Sequence, residues 1–338
     1  MYGGDDKINA YVDEEVTPAL AKRGFKLERV PVADTAEAVK RVIAERRAGK
    51  RDGGAVDLIW INGENFASGK RAGLWLEDWS RALPNAKRYV DFSDPTIRTD
   101  FQVAVDGQES PWQRAAFVYA HDAAKVAHPP RDFDALLAHA KAHRGRFTYP
   151  APPDFTGSAF VRQVIADKGE DAGFAYLNEL KPLMYRGGRS LPKSQAELDG
   201  LFADGQVDFA MAYDANFVNA GVRKGGFPKT ARPFVIGKGA LSNTSYVTIP
   251  ANAANVEGAK ALADVLLDPV LQASKADPAK LGNPTVLDVA RLGDKVSLFA
   301  RRAADNPYVL QDYGETVPEF AAARVGALEK RWAREVLR

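Results

Sequence analysis

Two stretches of this chain share one construction. Residues 55–70, AVDLIWINGENFASGK, and residues 145–164, GRFTYPAPPDFTGSAFVRQV, each run from an apolar, β-rich segment through a small polar turn into a helical pattern. In an open α/β sheet a ligand collects where strand C-termini meet helix N-termini, because backbone N–H groups and the helix dipole point into that crevice. Two such turns, well separated in sequence, point to two lobes facing one ligand. The 338-residue length agrees, since single cores stop growing near ~250–300 residues.

The remaining pattern alternates strand and helix. A strand is expected over 26–32, then a helix opened by Asp34 and Thr35 with Ala36, Val39, Val42 and Ile43 on one face. The strand 56–61 is apolar after Asp57, as a strand covered on both faces should be, and the polar turn 62–65 feeds a short helix. Residues 89–111 break into Asp, Pro and Gly turns, where the chain first crosses between lobes. A helix over 132–143 starts at an Asp cap and buries Phe133, Leu136, Leu137 and Ala140. Helices follow over 157–168, 171–180 and 194–203, strands over 207–212 and 246–249, an Ala-rich helical run over 255–276 and a last helix over 318–337. The opening MYGGDDKINAYV goes directly from a Gly-Gly turn into a helix. A parallel unit needs a strand before that turn, so most of a first strand, and any export signal, is expected upstream of Met1.

Composition removes several functions. No run approaches the roughly 20 apolar residues of a membrane span. Net charge is +2, and the basic runs 44–51 and 329–338 carry their own acids, so they read as solvated helix faces and no nucleic-acid partner is expected. With no cysteine, disulfides, thiolate catalysis and Cys-based metal sites are all excluded. His139 and His143 lie at i,i+4, but without HExxH or a third ligand they make no metal site. DFTGSAF lacks the G-x-S-x-G elbow, neither phosphate-binding glycine motif occurs, and YRGGRS reads as a surface turn. No catalytic residue and no cofactor is expected.

What remains is a set of polar turns suited to binding. They comprise Gly3, Gly4 and Asp5; Asn62, Gly63, Glu64 and Asn65; Asp154, Phe155, Thr156, Gly157 and Ser158; Tyr213, Asp214 and Asn216; and Asn243, Thr244 and Ser245 with Tyr246. Glycine admits close backbone approach, and Asn, Ser and Thr supply neutral donors and acceptors. Helix capping explains any single one of them equally well. Among nearby aromatics, Trp60 and Phe155 read equally as core, Tyr119 flanks the turns, and Trp112, Tyr213 and Tyr246 are the candidates for stacking on a planar or cationic ligand. Asp5, Asp6, Glu64, Asp154 and Asp214 favour a cationic or zwitterionic organic solute over an oxyanion.

The segments GGDDKINAYV, DLIWINGENF, YPAPPDFTGSAFV, FAMAYDANF and YVTIPANAANVEGAKALADVLLDPVLQA resemble the periplasmic solute-binding proteins of ABC importers, and within extracellular solute-binding family 1 the YnjB-like group. The resemblance implies an α/β type II periplasmic-binding-protein fold, with two lobes joined by two crossing hinge segments. Residues 1–111 would begin lobe I, 112–246 would form lobe II, and 247–338 would return to lobe I. It further implies a periplasmic, non-enzymatic monomer that holds a small-molecule solute between its lobes by hinge closure and delivers it to a membrane permease. The family's site loops carry over onto residues 3–5, 62–65, 154–158, 213–216 and 243–246. Ferric binders of this kind use adjacent tyrosines, and no Tyr-Tyr pair exists here, so a thiamine-like cation fits better. The competing reading is an enzyme on the same architecture with Asp154, Glu64 or Asp214 as acid or base. A ligand-sensing regulator would need a DNA-binding helix pair that the chain lacks.

Overall fold

The computed structural model describes residues 1, 6–32, 35–61, 63–299, 306–310, 312–315 and 317–337. The chain forms two compact units, Met1–Arg114 with Asn243–Arg302, and Ala115–Ser242 with Ala303–Arg338. Gly3, Gly4, Asp5, Asn62 and the expected cap Asp34 lie outside the described residues.

The strand Leu241–Thr248, which lies in the first unit from Asn243 onward, runs between Ile59–Ile61 and Glu109–Ala116. Ile59, Trp60 and Ile61 pair antiparallel with Thr248, Val247 and Tyr246. Residues at i and i+2 of a strand share a face, which puts Ile59 and Ile61 against Val39, Val42, Phe66 and Trp75 in one buried cluster. A second cluster collects Val16, Leu20, Trp112, Val247, Leu262 and Leu266. The expected helix over 255–276 is two helices, Val256–Leu266 and Pro269–Ala276. Pro269 cannot donate to a continuing helix, and the Asp268 carboxylate instead accepts from the Val270 and Leu271 N–H groups to start the next one.

The second unit centres on the strand Val118–Asp122, flanked antiparallel by Phe209–Ala212 and Ala231–Phe234. Around it pack the helices Phe133–Ala142, Phe155–Lys168, Glu170–Leu180, Gln195–Ala203 and Ala322–Glu335. Asp132, Asp154 and Ser194 cap three of these through their side chains, as their residue types predict. The core is rich in rings, with Phe117, Tyr119, Phe133, Phe147, Phe160, Phe209 and Trp332 all buried.

Several expectations are corrected. Residues 25–32 form no strand; Val30 N–H donates to the Met1 carbonyl, and the Met1 amino group to the Glu28 carbonyl. Residues 146–149 are likewise no strand, although the Arg146 and Phe147 carbonyls accept from Asp208 and Tyr185 N–H groups. The last helix does not return to the first unit: Trp332 is buried in the second unit's core and its indole donates to the Tyr149 hydroxyl at 2.9 Å.

Candidate functional site

The start of the helix Phe155–Lys168 gathers more of the expected residues than any other turn. Asp154 caps it, its carboxylate accepting from the Gly157 N–H at 3.0 Å. A Cβ on Gly157 would stand 1.8 Å from the Pro150 carbonyl oxygen, so glycine there lets two backbone segments touch and is not evidence of ligand approach. Thr156 is buried and donates to Gln195 Oε1 at 3.0 Å. Phe155 is 49% exposed, contrary to a core reading. Its ring lies 5.3 Å from that of Tyr213, tilted by 42°, within the separation at which aromatic pairs attract.

Beneath that pair lies a chain of charged groups that the polar-turn reading does not include. Arg162 is 1% exposed. Its Nε and Nη2 donate to Glu319 at 2.8 and 2.9 Å, and its Nη1 donates to Ser158 Oγ at 2.7 Å. Ser158 Oγ in turn donates to Glu329 Oε1 at 2.6 Å, so this expected ligand contact is already committed. Burial works against the Arg162 charge, and Glu319 more than offsets it, so its pKa is raised. The Tyr213 phenol is pushed well above its ordinary range by burial and by Glu319. The Arg162 guanidinium also sits 5.6 Å from the Phe155 ring centre. One turn away, the half-buried Asp214 accepts from the Asn216 N–H at 2.9 Å, and Asn216 itself is buried.

In the first unit the helix Gly63–Arg71 opens on Gly63 at φ +59°, and its N–H donates to Asp100 Oδ2 at 2.6 Å. Residues 63–65 of the expected turn are therefore the first turn of the helix, with Glu64 exposed and Asn65 half-buried. In the strand Leu241–Thr248, Thr244 and Tyr246 point the same way. Thr244 Oγ1 donates to the Thr96 carbonyl at 2.7 Å, and the Tyr246 hydroxyl lies 3.0–3.1 Å from the Thr96, Ile97 and Thr99 carbonyls. Ser245 is buried and Asn243 half-buried.

Three aromatics expected near a ligand are core instead. Tyr246 closes the end of the helix Pro95–Arg98 and is fully buried. Trp112 is buried, edge-on to Trp60 at 5.3 Å. Tyr119 is buried in the central strand of its unit, its hydroxyl donating to Gln163 Oε1 at 2.9 Å. A residue's type states that it can stack; burial decides whether it does.

Two buried titratable groups carried no sequence signal. Glu109 is fully buried, and among the described residues neither carboxyl oxygen has a hydrogen-bond partner. Burial, then Asp100, push it well above the ordinary carboxyl range, with Lys70 opposing. Lys275 is buried with its ammonium nitrogen 2.6 Å from the Trp112 carbonyl and 3.3 Å from that of Pro284. Burial, then Arg114, hold its pKa well below normal. His139 lies 2.9 Å from Asp208 Oδ2, and Asp208 also takes two donors from Arg146.

Each unit also has a cavity away from the expected turns. One, of about 440 Å³, is lined by Arg23, Phe25, Trp79, Leu83 and Asp264. The other, of about 320 Å³, is lined by Tyr185, Arg186, Leu191 and Glu197.

A family profile described as bacterial extracellular solute-binding protein matches residues 16–303. Protein YnjB of Escherichia coli (strain K12) is 38% identical over 351 residues, covering 98% of this chain and 88% of YnjB. A solved Bordetella parapertussis structure, named as that of an extracellular solute-binding protein, superposes with a TM-score of 0.74 at 15% identity, covering 99% of this chain and 98% of that one. A periplasmic thiamin binding protein does so with a TM-score of 0.64 at 15% identity, over 100% and 95%. At such identities the structural likeness establishes the fold, the α/β type II periplasmic-binding fold, and the sequence matches establish the family. The chain belongs to the bacterial extracellular solute-binding proteins and is the solute-binding component of an ABC importer.

Proposed function

We propose that this protein captures a small cationic or zwitterionic organic solute, thiamine-like in joining a flat ring to positive charge, and delivers it in the periplasm to a membrane permease. It acts as a monomer, its two units serving as lobes that each contribute ligand-facing turns and that close by bending at the chain crossings. The observation that carries this reading is the exposed Phe155 ring paired with Tyr213 at the start of a long helix. Such a pair offers a π-face to a planar or cationic group. Asp154 and Asp214 stand beside it in the chain, and the nearby Arg162 is already matched to Glu319, which weakens the appeal of the site to an anion. Proteins of the same fold are named for thiamin, iron and fructose-6-phosphate, so the fold admits such a cargo and the aromatic pair is what argues for it.

The enzyme reading draws less support. Asp154 is engaged as a helix cap and Glu64 is exposed, whereas a general acid or base needs a sequestered, poised carboxyl.

The test is a thermal-shift screen against thiamine and its phosphates, polyamines, amino acids, sugars and oxyanions, with native mass spectrometry of any hit. A solute that binds only the folded form stabilises by mass action, roughly 2.7 kcal/mol at a hundred times its dissociation constant. Organic cations should raise the melting temperature and leave with unchanged mass. Stabilisation by oxyanions or sugar phosphates alone would overturn the cargo assignment, and a mass change on incubation would favour an enzyme.

A further inference from the structure

The helix whose first turn carries Phe155 is gripped from behind by the end of the chain. Glu319 follows directly on the short strand Val317–Pro318, which pairs parallel with Leu241 and Ser242. Ser242 is the last residue of the second unit before the chain passes into the first. From Glu319 the hydrogen bonds run to Arg162, then to Ser158, then to Glu329 on the helix Ala322–Glu335. Both ends of this chain of bonds therefore lie in the C-terminal segment, and its middle lies within the first two turns of the helix Phe155–Lys168. Tyr213, which completes the aromatic pair, is within electrostatic reach of the same Glu319 carboxylate, which with burial raises the phenol's pKa.

Stability alone does not account for such a construction. Withdrawing two charges from water costs more than their attraction returns unless geometry is very good, and apolar residues of similar volume often serve the fold as well. What a guanidinium provides that an apolar side chain cannot is direction. Its planar fork fixes a carboxylate on one edge and, here, a hydroxyl on another. Ser158 has one proton to give and gives it to Glu329, so its lone pair is presented to Arg162. The sequence of donors leaves one arrangement of helix start, strand and C-terminal helix.

We propose that Arg162 and Glu319 are positioning residues: they set the pair formed by the exposed Phe155 and the half-buried Tyr213 and tie it to the strand that leaves the second unit at Ser242. The inference deepens the reading of that pair as the ligand-facing platform, and its main test is made without ligand. Hydrogen exchange is followed by mass spectrometry on the full chain and on three variants: Glu319→Gln, which keeps shape and removes charge; Glu329→Gln; and the apolar double variant Arg162→Met with Glu319→Leu.

Glu319→Gln should speed exchange roughly tenfold or more over 155–162, 213–217 and 241–242, while the central strand 118–122 keeps its protection. Glu329→Gln should affect 155–162 and spare 241–242. The double variant should regain the parent melting temperature without regaining protection over 213–217 and 241–242. Full protection in the double variant would overturn the proposal, because packing alone would then suffice. Unchanged exchange over 241–242 in Glu319→Gln would overturn it as well. If Glu319→Gln does not fold, the double variant decides alone. Thiamine added to each protein gives a second arm: no shift even in the parent would count against the cargo assignment and leave the exchange result standing, whereas a shift in the parent that drops tenfold or more in apparent affinity in the double variant supports both.

Discussion

Glu109 and Lys275 place an acid and a base inside the first unit, each without an opposite charge in hydrogen-bond contact among the described residues. Desolvation favours the neutral form of both. For Glu109 the folded-state pKa lies above its ordinary 4.5. Its contribution to stability is therefore complete below the ordinary carboxyl range and is lost as pH rises through the raised value. Glu109→Gln removes that titration. Its melting temperature should exceed the parent's increasingly as pH goes from about 5 to about 8, by roughly 2–4 °C for each kcal/mol recovered. Parallel melting curves across that range would show that Glu109 does not titrate there. The same scale explains which site residues were legible. Asp154 and Asp214 announce turns by type, and both do make turn or cap hydrogen bonds. Burial, by contrast, depends on neighbours distant in the chain, so Trp112 and Tyr246 have the type of stacking groups and are core, while Phe155, a candidate contact that reads equally as core, is exposed. Arg162 sits in FTGSAFVRQV with nothing local to mark its partner, Glu319, which lies 157 residues away.

Helix starts were legible because their chemistry is local. Asp132 and Ser194 each accept from the backbone N–H three residues on, and a sequence of that length can be read directly; the start at Asp268, inside the expected run 255–276, is the exception. Strands were legible only in part, with Ile59–Ile61 and Phe209–Ala212 inside their expected ranges, because a strand exists only by its partner. Residues 26–32 and 146–149 have the composition of strands and lack a continuous ladder among the described residues, whereas Leu241–Thr248, marked only from 246 onward, extends five residues earlier. At this scale one close backbone approach in the second unit also makes a prediction. The Gly157 Cα faces the Pro150 carbonyl, leaving no room for a methyl group. Gly157→Ala must displace either the helix start or the 150–153 segment, and the expected cost is roughly 3 kcal/mol or more. Chemical denaturation would check this; a loss under about 1 kcal/mol would mean that the segment yields easily and that glycine is there for another reason.

Each unit owns its core, and each is assembled from two separate lengths of chain. The second unit is completed only by its last segment, which supplies Glu319 to the buried Arg162 and Trp332 to the ring cluster. A chain stopped at residue 316 would leave a buried guanidinium without its carboxylate and a core without its largest ring, each a loss of roughly 3–5 kcal/mol. Hydrogen exchange should then show the residues 115–242 unprotected and the first unit still protected. Retained protection over 115–242 would mean that the C-terminal segment only covers a core already stable. This interleaving bears on how the protein comes into being. A nascent chain emerging from the ribosome has neither core complete: the first waits for residues 243–302 and the second for the final helix. Neither unit can therefore close its core before residue 302 has been made, and the second stays open until the helix Ala322–Glu335 has followed.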